Sequence, residues 1–349
     1  MSKFRLLLLP LSLLYGIIIW IRNKFYDLGI FKSTSFELPV ISVGNLEVGG
    51  SGKTPMTEYL IRLLSSYKLS TLSRGYGRKT KGFRWVQEND DPQLTGDEPL
   101  QVKNKFPFIS VAVCENRVAG INKIKANHEL IIMDDAYQHR AVKPGLNLLL
   151  FDYNTVFHTR LMLPAGNYRE PFSGRKRANI VVITKTPEEL TLAQQQEIEK
   201  KFKLFSHQKL FFSYICYSKN LINIFTGDLL ETKNLQHGTA VLLITGIAKA
   251  ALLFNKVKSH TPQVVHMAYG DHHQFSQKNM LKLVSDFNHI NQKEKIIITT
   301  QKDAVRLRAE EYRNLIGSLP IYEWPIEMAF HENKKADFET EILEYVKRN

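Results

Sequence analysis

An apolar, β-prone run from Leu38 to Val43 leads straight into Gly44-Asn45-Leu46-Glu47-Val48-Gly49-Gly50-Ser51-Gly52-Lys53-Thr54-Pro55. A helical pattern follows, with Met56, Leu60, Ile61 and Leu64 on one face. Strand, glycine-rich turn and helix N-terminus in this order form a cradle for phosphate. Glycines let backbone N–H groups close around the oxygens, and the helix dipole adds partial positive charge. The spacing assigns Gly49, Gly50, Ser51 and Gly52 to the cradle, Lys53 to the β- and γ-phosphates, and the Thr54 hydroxyl to Mg2+. Glu47 stands where the general pattern places its first glycine.

Downstream, Glu129-Leu-Ile-Ile-Met-Asp-Asp135 reads as a buried parallel strand ending in two carboxylates, Asp134 and Asp135. Parallel sheets present ligands at these strand ends, where carboxylates hold Mg2+ directly or through water. Further buried strands at Leu146–Phe151 and Ile180–Thr184 continue a βα alternation. A second unit carries strands at 241–245, 263–268 and 295–300, each followed by a helical pattern. In Ile183-Thr-Lys-Thr-Pro187, Pro187 occupies the place of the aspartate that would read guanine, which argues against GTP. The expected fold is therefore α/β: a P-loop NTPase-like α/β/α sandwich over 36–208, a two-stranded connector over 209–235, and a smaller α/β domain over 236–349.

Residues 1–30 differ from the rest. An apolar stretch from Leu6 to Ile21, interrupted in polarity by Ser12, is flanked by Lys3 and Arg5 on one side and Arg22 and Lys24 on the other. As a helix it is roughly 24 Å long, short of the ~30 Å hydrocarbon core, and Pro10 would bend it. No small-residue cleavage site follows, and export would strand the nucleotide loop outside the cell. A membrane-associated helix with basic ends on phosphate headgroups fits better than a buried hairpin helix. The net charge of +13 favours nucleic acid, a phosphorylated substrate or an anionic membrane surface, without choosing among them. Basic residues interleaved with aromatics and glycines from Arg74 to Trp85 suit a nucleic-acid backbone, a phosphate mouth or a solvated loop equally. The two cysteines, Cys114 and Cys216, suggest neither a disulfide framework nor a zinc site.

Taken in order, Gly44-Asn45 through Thr54-Pro55, Ser73-Arg-Gly-Tyr-Gly-Arg78, Gly96-Asp-Glu-Pro99, Asp134-Asp-x-x-Gln-His139, Leu163-Pro-Ala-Gly166, Arg169-Glu-Pro171, Asp271-His272 and Lys302-Asp-Ala-Val305 resemble the tetraacyldisaccharide 4'-kinase (lipid A 4'-kinase) family over nearly the whole chain. Ala136-Tyr137 and Gln301 depart from the commoner residues of that family, and Glu47 does not. The resemblance implies transfer of the ATP γ-phosphate to the 4'-hydroxyl of a tetraacylated disaccharide 1-phosphate, giving lipid IVA in lipid A biosynthesis. The implied setting is the cytoplasmic face of a Gram-negative inner membrane, with the enzyme peripheral or monotopic and a monomer. ATP and Mg2+ are the implied cofactors, and no nucleic-acid partner is expected. Glu98 joins Thr54, Asp134 and Asp135 as an expected metal group, and Arg78, Arg117, Gln138, His139 and Arg169 are expected at the acceptor. Asp97 is expected to take the proton of the attacking hydroxyl, with His272 orienting it across an interdomain cleft. The alternatives are a P-loop regulatory NTPase and a nucleic-acid-dependent NTPase, neither with a lipid acceptor.

Overall fold

The computed structural model describes residues 3–235, 238–271 and 273–348. Among these, a nine-stranded sheet runs in the order Ile326–Phe330, Lys209–Tyr217, Ile180–Thr184, Leu146–Asp152, Val40–Asn45, Leu130–Asp134, Leu69–Ser73, Ser110–Val113 and Arg84–Trp85. Its central strands are parallel and buried on both faces, which is why they read as unbroken apolar runs. The strand Val40–Asn45 lies between Leu130–Asp134 and Leu146–Asp152, with Val43 opposite Asp134. The glycine-rich turn and the paired aspartates therefore leave the sheet side by side, at the carboxyl ends of neighbouring strands.

A six-stranded sheet forms the second unit. Val264–Ala268, Ala240–Thr245, Lys295–Thr299 and Ile321–Glu323 are parallel, and the antiparallel pair Asn220–Asn223 and Leu229–Glu231 completes it. The α/β class and the second α/β unit match the expectation from sequence, but the division between them differs. Lys209–Tyr217 is a full strand of the first sheet instead of half of a connector. Ile326–Phe330, expected in the second domain, pairs antiparallel with it. The helix Glu332–Lys347 then returns Phe338, Ile342 and Val346 to the core built around Met56, Leu60 and Phe211. The reason is burial: the apolar face of that helix needs the first sheet, and Phe338 stacks on Phe330 with ring centroids 4.0 Å apart. The chain thus crosses between units twice, and the crossings are tied where Ser218 N donates to Pro325 O at 2.9 Å and Trp324 Nε1 to Ser218 O at 3.0 Å.

The N-terminal segment is helical at Lys3–Leu6 and again at Leu9–Asp27, with Pro10 in the first turn of the longer helix, where its missing N–H costs nothing. Ser12 is the buried residue of that helix, whereas Leu7 and Leu13 are 76% and 69% exposed. Polar groups make the attachment: Ser12 Oγ accepts from Ala165 N, Tyr15 Oη donates to Arg169 O, and Arg22 donates to Gln138 O. No described helix is long and apolar enough to cross a membrane.

Phe338 is fully buried between the two faces that the sequence assigns to different domains. Phe338→Ala is expected to cost about 3–5 kcal/mol in unfolding free energy, measured by chemical denaturation. A loss below about 1 kcal/mol would show that the terminal helix is not part of the first core.

Candidate active site

The phosphate cradle is built as its residues demand. Gly49 and Gly52 sit at φ +111° and +85°, where a side chain would be strained, and Gly52 caps the helix Lys53–Leu63. Glu47, in place of a glycine, forms a β-bridge with Tyr168, so extended backbone serves there and a glycine is not needed. Asn45 Nδ2 donates to Ser51 Oγ at 2.8 Å, and Thr184 Oγ1 donates to Ser51 O at 2.8 Å. Lys185 Nζ donates to Gly50 O and pairs with Asp152 at 3.2 Å, and Lys249 of the second unit reaches the same carboxylate at 2.8 Å. Lys53 and Thr54 open the helix, both half-buried.

Lys53 Nζ lies 3.7 Å from Asp135 Oδ1, and Arg169 donates to both Asp135 oxygens at 3.1 and 3.3 Å. Arg169 also bonds Asn45 Oδ1 and Glu47 O, so it links the aspartate to the entry of the cradle. Burial by itself would raise the Asp135 carboxyl, but Lys53 and Arg169 outweigh it and hold the group below its usual value. Asp134 has no such cation in contact. Its Oδ1 accepts from Asp135 N at 2.9 Å and from Thr57 at 3.4 Å, and burial, then the charges of Glu98 and Asp135, push its pKa up to about 7. A buried carboxylate raised by its acidic neighbours is a place where a divalent cation is electrostatically favoured. Among the described residues no three His, Cys, Asp or Glu side chains converge as a closed metal site. That fits Mg2+, which usually takes one or two carboxylates and completes its shell with water and phosphate oxygens.

A cavity of about 460 Å³ opens over these groups, lined by Asp97, Glu98, Asp134, Asp135, Arg117, Gln138, His139 and Arg169 among others. The helix Asp97–Lys105 packs directly against Gln301–Leu307 of the second unit. Asp97 is buried and, among the described residues, is held by Arg306, whose Nε and Nη2 donate at 3.0 and 2.5 Å. Arg306 in turn bonds Asp303 at 3.1 Å and His273 O at 3.4 Å. Glu98 pairs with Lys302 at 3.3 Å, and Lys302 lies 3.8 Å from Asp271. His272, expected to orient Asp97, lies outside the described residues; its neighbours Asp271 and His273 both border this ion-pair network.

Two of the expected acceptor residues are placed differently from the others. Arg78 is absent from the cavity lining: it is 2% exposed, paired with Glu115 at 2.5 Å and bonded to Gly82 O at 2.7 Å, so it braces its own glycine-rich loop. Arg117 lines the cavity but is deeply buried, with Nη1 on Cys114 O and Glu115 O, and burial pushes its pKa down to about 10. Gln138 is anchored by donating to Asn45 O at 2.8 Å. Arg74, from the basic stretch read as a possible phosphate mouth, also lines the cavity, whereas sequence reasoning missed Arg306, Asn45 and the Thr184-Lys185 clamp. Asn45 and the Lys302 helix did stand within quoted motifs, and Lys302 and Arg306 are one helical turn apart, a spacing that puts two cations on one face.

The model of the Tetraacyldisaccharide-1-P 4'-kinase family matches residues 4–347. The chain belongs to this family. Named tetraacyldisaccharide 4'-kinases from Phocaeicola vulgatus and Flavobacterium johnsoniae are 42% and 44% identical to it, covering 98% and 100% of this chain and 95% and 99% of theirs. The crystal structure of the "apo" form of LpxK from Aquifex aeolicus in complex with ATP is 29% identical and covers 99% of this chain and all of its own, with a TM-score of 0.75. As a family member the chain is a kinase of lipid A biosynthesis, and the P-loop site is where that chemistry must be sought.

One histidine of the site carries a stability signature. His139 is half-buried, its Nε2 has no hydrogen-bond partner among the described residues, and burial, then Arg117, Arg22 and Arg74, push its pKa from 6.5 to about 4. The unfolded chain takes up a proton near pH 6.5 that the folded chain refuses until about pH 4, so this contribution is whole above 6.5 and is lost as pH falls to 4. Tm of the wild type should therefore fall further than that of His139→Gln across this window. A Tm difference independent of pH would contradict the burial argument.

Proposed function

We propose that this chain transfers the γ-phosphate of ATP to the 4'-hydroxyl of an acylated disaccharide 1-phosphate at an anionic membrane surface. The observation that carries the reading is the meeting of Lys53 and Arg169 on Asp135 in a cavity that Asp97 also lines, beside a helix whose apolar side chains face outward. Phosphoryl transfer asks a protein for positioning and for charge where negative charge develops. Backbone N–H groups of Gly49–Gly52 hold the phosphates, and Lys53 and Arg169 supply positive charge to the group in transit. The 4'-oxygen attacks the γ-phosphorus as the bond to the β-phosphate oxygen breaks, ADP leaves, and the hydroxyl proton passes to Asp97. Arg306 holds and aims that carboxylate through two hydrogen bonds. Mg2+ would be held by the Thr54 hydroxyl and Asp134, with Asp135 and Glu98 close by, and would neutralise charge on the phosphate oxygens.

The outward apolar face of Leu9–Asp27 supports binding in the membrane interface, where an acceptor with acyl chains is found. Tyr15 and Arg22 fasten that helix to Arg169 and Gln138, so the lipid surface and the reacting groups are held in one piece.

The test is ATP turnover with detergent-dispersed acceptor, with nucleic acid, and with neither. Phosphate transfer is expected with the lipid acceptor only, and Lys53→Ala should lower it by about a hundredfold or more. Equal turnover in all three arms, or near-wild-type transfer by Lys53→Ala, would overturn the proposal.

A further inference from the structure

The acceptor's 1-phosphate lies at the opposite end of the disaccharide from the 4'-hydroxyl that reacts. Arg169 and Arg117, expected there from sequence, are both committed at the reacting end, the first to Asp135 and Asn45 and the second to Cys114 O and Glu115 O. The distal phosphate must therefore meet other cations.

Such a group exists on the far side of His139, which lines two cavities at once. The second cavity, of about 890 Å³, lies between the end of the N-terminal helix and the turn that follows the paired aspartates. Lys32, Arg140, Lys143 and Arg177 line it, and Asp27 is the acidic residue among its described lining. Asp27 is shared by Arg140 at 2.7 Å and by Lys176 at 3.1 Å, and Arg177 is held by Glu170 at 2.5 and 2.9 Å. Cations outnumber anions, and Lys32 and Lys143 are exposed, their side-chain amines with no hydrogen bond or ion pair to a described residue, while Lys143 N donates to Thr34 O at 2.8 Å. Two exposed apolar residues line it, Ile30 and Phe31, at 62% and 42% exposure. A cation-lined cavity with exposed apolar residues suits an anionic group attached to acyl chains.

We propose that this cavity is the subsite for the 1-phosphate of the acylated disaccharide, with Lys32 and Lys143 contacting the phosphate and Arg140 fixing the wall between them and the helix. The proposal rests on the kinase reading above and extends it to recognition of the far end of the acceptor. His139, common to both cavities, marks where the sugar passes from one to the other.

The test compares two acceptors that differ only in carrying phosphate or hydroxyl at C1, dispersed in neutral detergent, with full-length wild type and the Lys32→Ala/Lys143→Ala double variant. The wild type should prefer the 1-phosphate acceptor by about tenfold or more in KM, as charge-assisted contacts predict. The double variant should lose most of that preference, and Lys32→Arg/Lys143→Arg should restore it, with KM for ATP as the control. An unchanged preference in the double variant would overturn the assignment. So would a preference that persists while binding to phosphatidylglycerol vesicles, relative to phosphatidylcholine, falls; that result would make the cavity a bulk-lipid site. If the wild type phosphorylates neither acceptor, the kinase reading itself fails, and this is distinguishable from loss of the preference.

Discussion

Two adjacent carboxylates at the end of a buried strand are costly, and most of the site follows from how that cost is met. Asp134 and Asp135 cannot both be charged in a low-dielectric pocket without nearby cations. Asp135 draws Lys53 from the phosphate cradle and Arg169 from the loop after Leu163. Arg169 brings its own backbone with it, and its carbonyl receives Tyr15 of the N-terminal helix. One requirement of charge balance thus holds together the nucleotide loop, the acceptor loop and the apolar helix. Asp134 is left under-compensated, which makes it the group that most needs a divalent cation.

The second unit enters through the same logic. Asp97 and Glu98 project from the first unit toward Arg306 and Lys302, and each ion pair spans the boundary. The pair with Arg306 is buried, with side-chain exposures of 4% and 9%, and Arg306 also pairs with the buried Asp303 at 3.1 Å. The two crossings of the chain are bonded to each other at Ser218, Trp324 and Pro325, and Ile326 N donates to Oε1 of Gln301, which opens the helix carrying Lys302 and Arg306, at 3.3 Å.

Sequence made the core of this account readable because its chemistry is local. A strand, a glycine-rich turn and Lys53-Thr54 sit within one stretch, and the apolar run into Asp134-Asp135 announces its place in the sheet. The outward-facing helix was legible as well, since continuous apolarity with basic ends has few other uses. What escaped was set by distance along the chain. Ile326–Phe330 and the final helix read as part of the second unit, and only burial against Met56 and Leu60 returns them to the first. Arg306 carries no signal of its own until Asp97, in the other unit, is placed against it. Arg78 stands in a motif, and its pairing with Glu115, in another stretch, carries no signal in the sequence.

We propose Asp97 as the proton acceptor, held by Arg306 across the boundary between the units. Asp97→Asn keeps the size of the side chain and one acceptor oxygen, whereas Arg306→Met removes the cation shared by Asp97 and Asp303, so its unfolding free energy is measured beside kcat. The most direct measurement is kcat with saturating acceptor and ATP for Asp97→Asn, Arg306→Met and the double variant. Each single variant should lower kcat strongly with ATP KM little changed, and the double should lose little more than the worse single, because groups acting as a unit are non-additive. Losses that multiply, or a collapse of ATP affinity in place of turnover, would contradict the assignment.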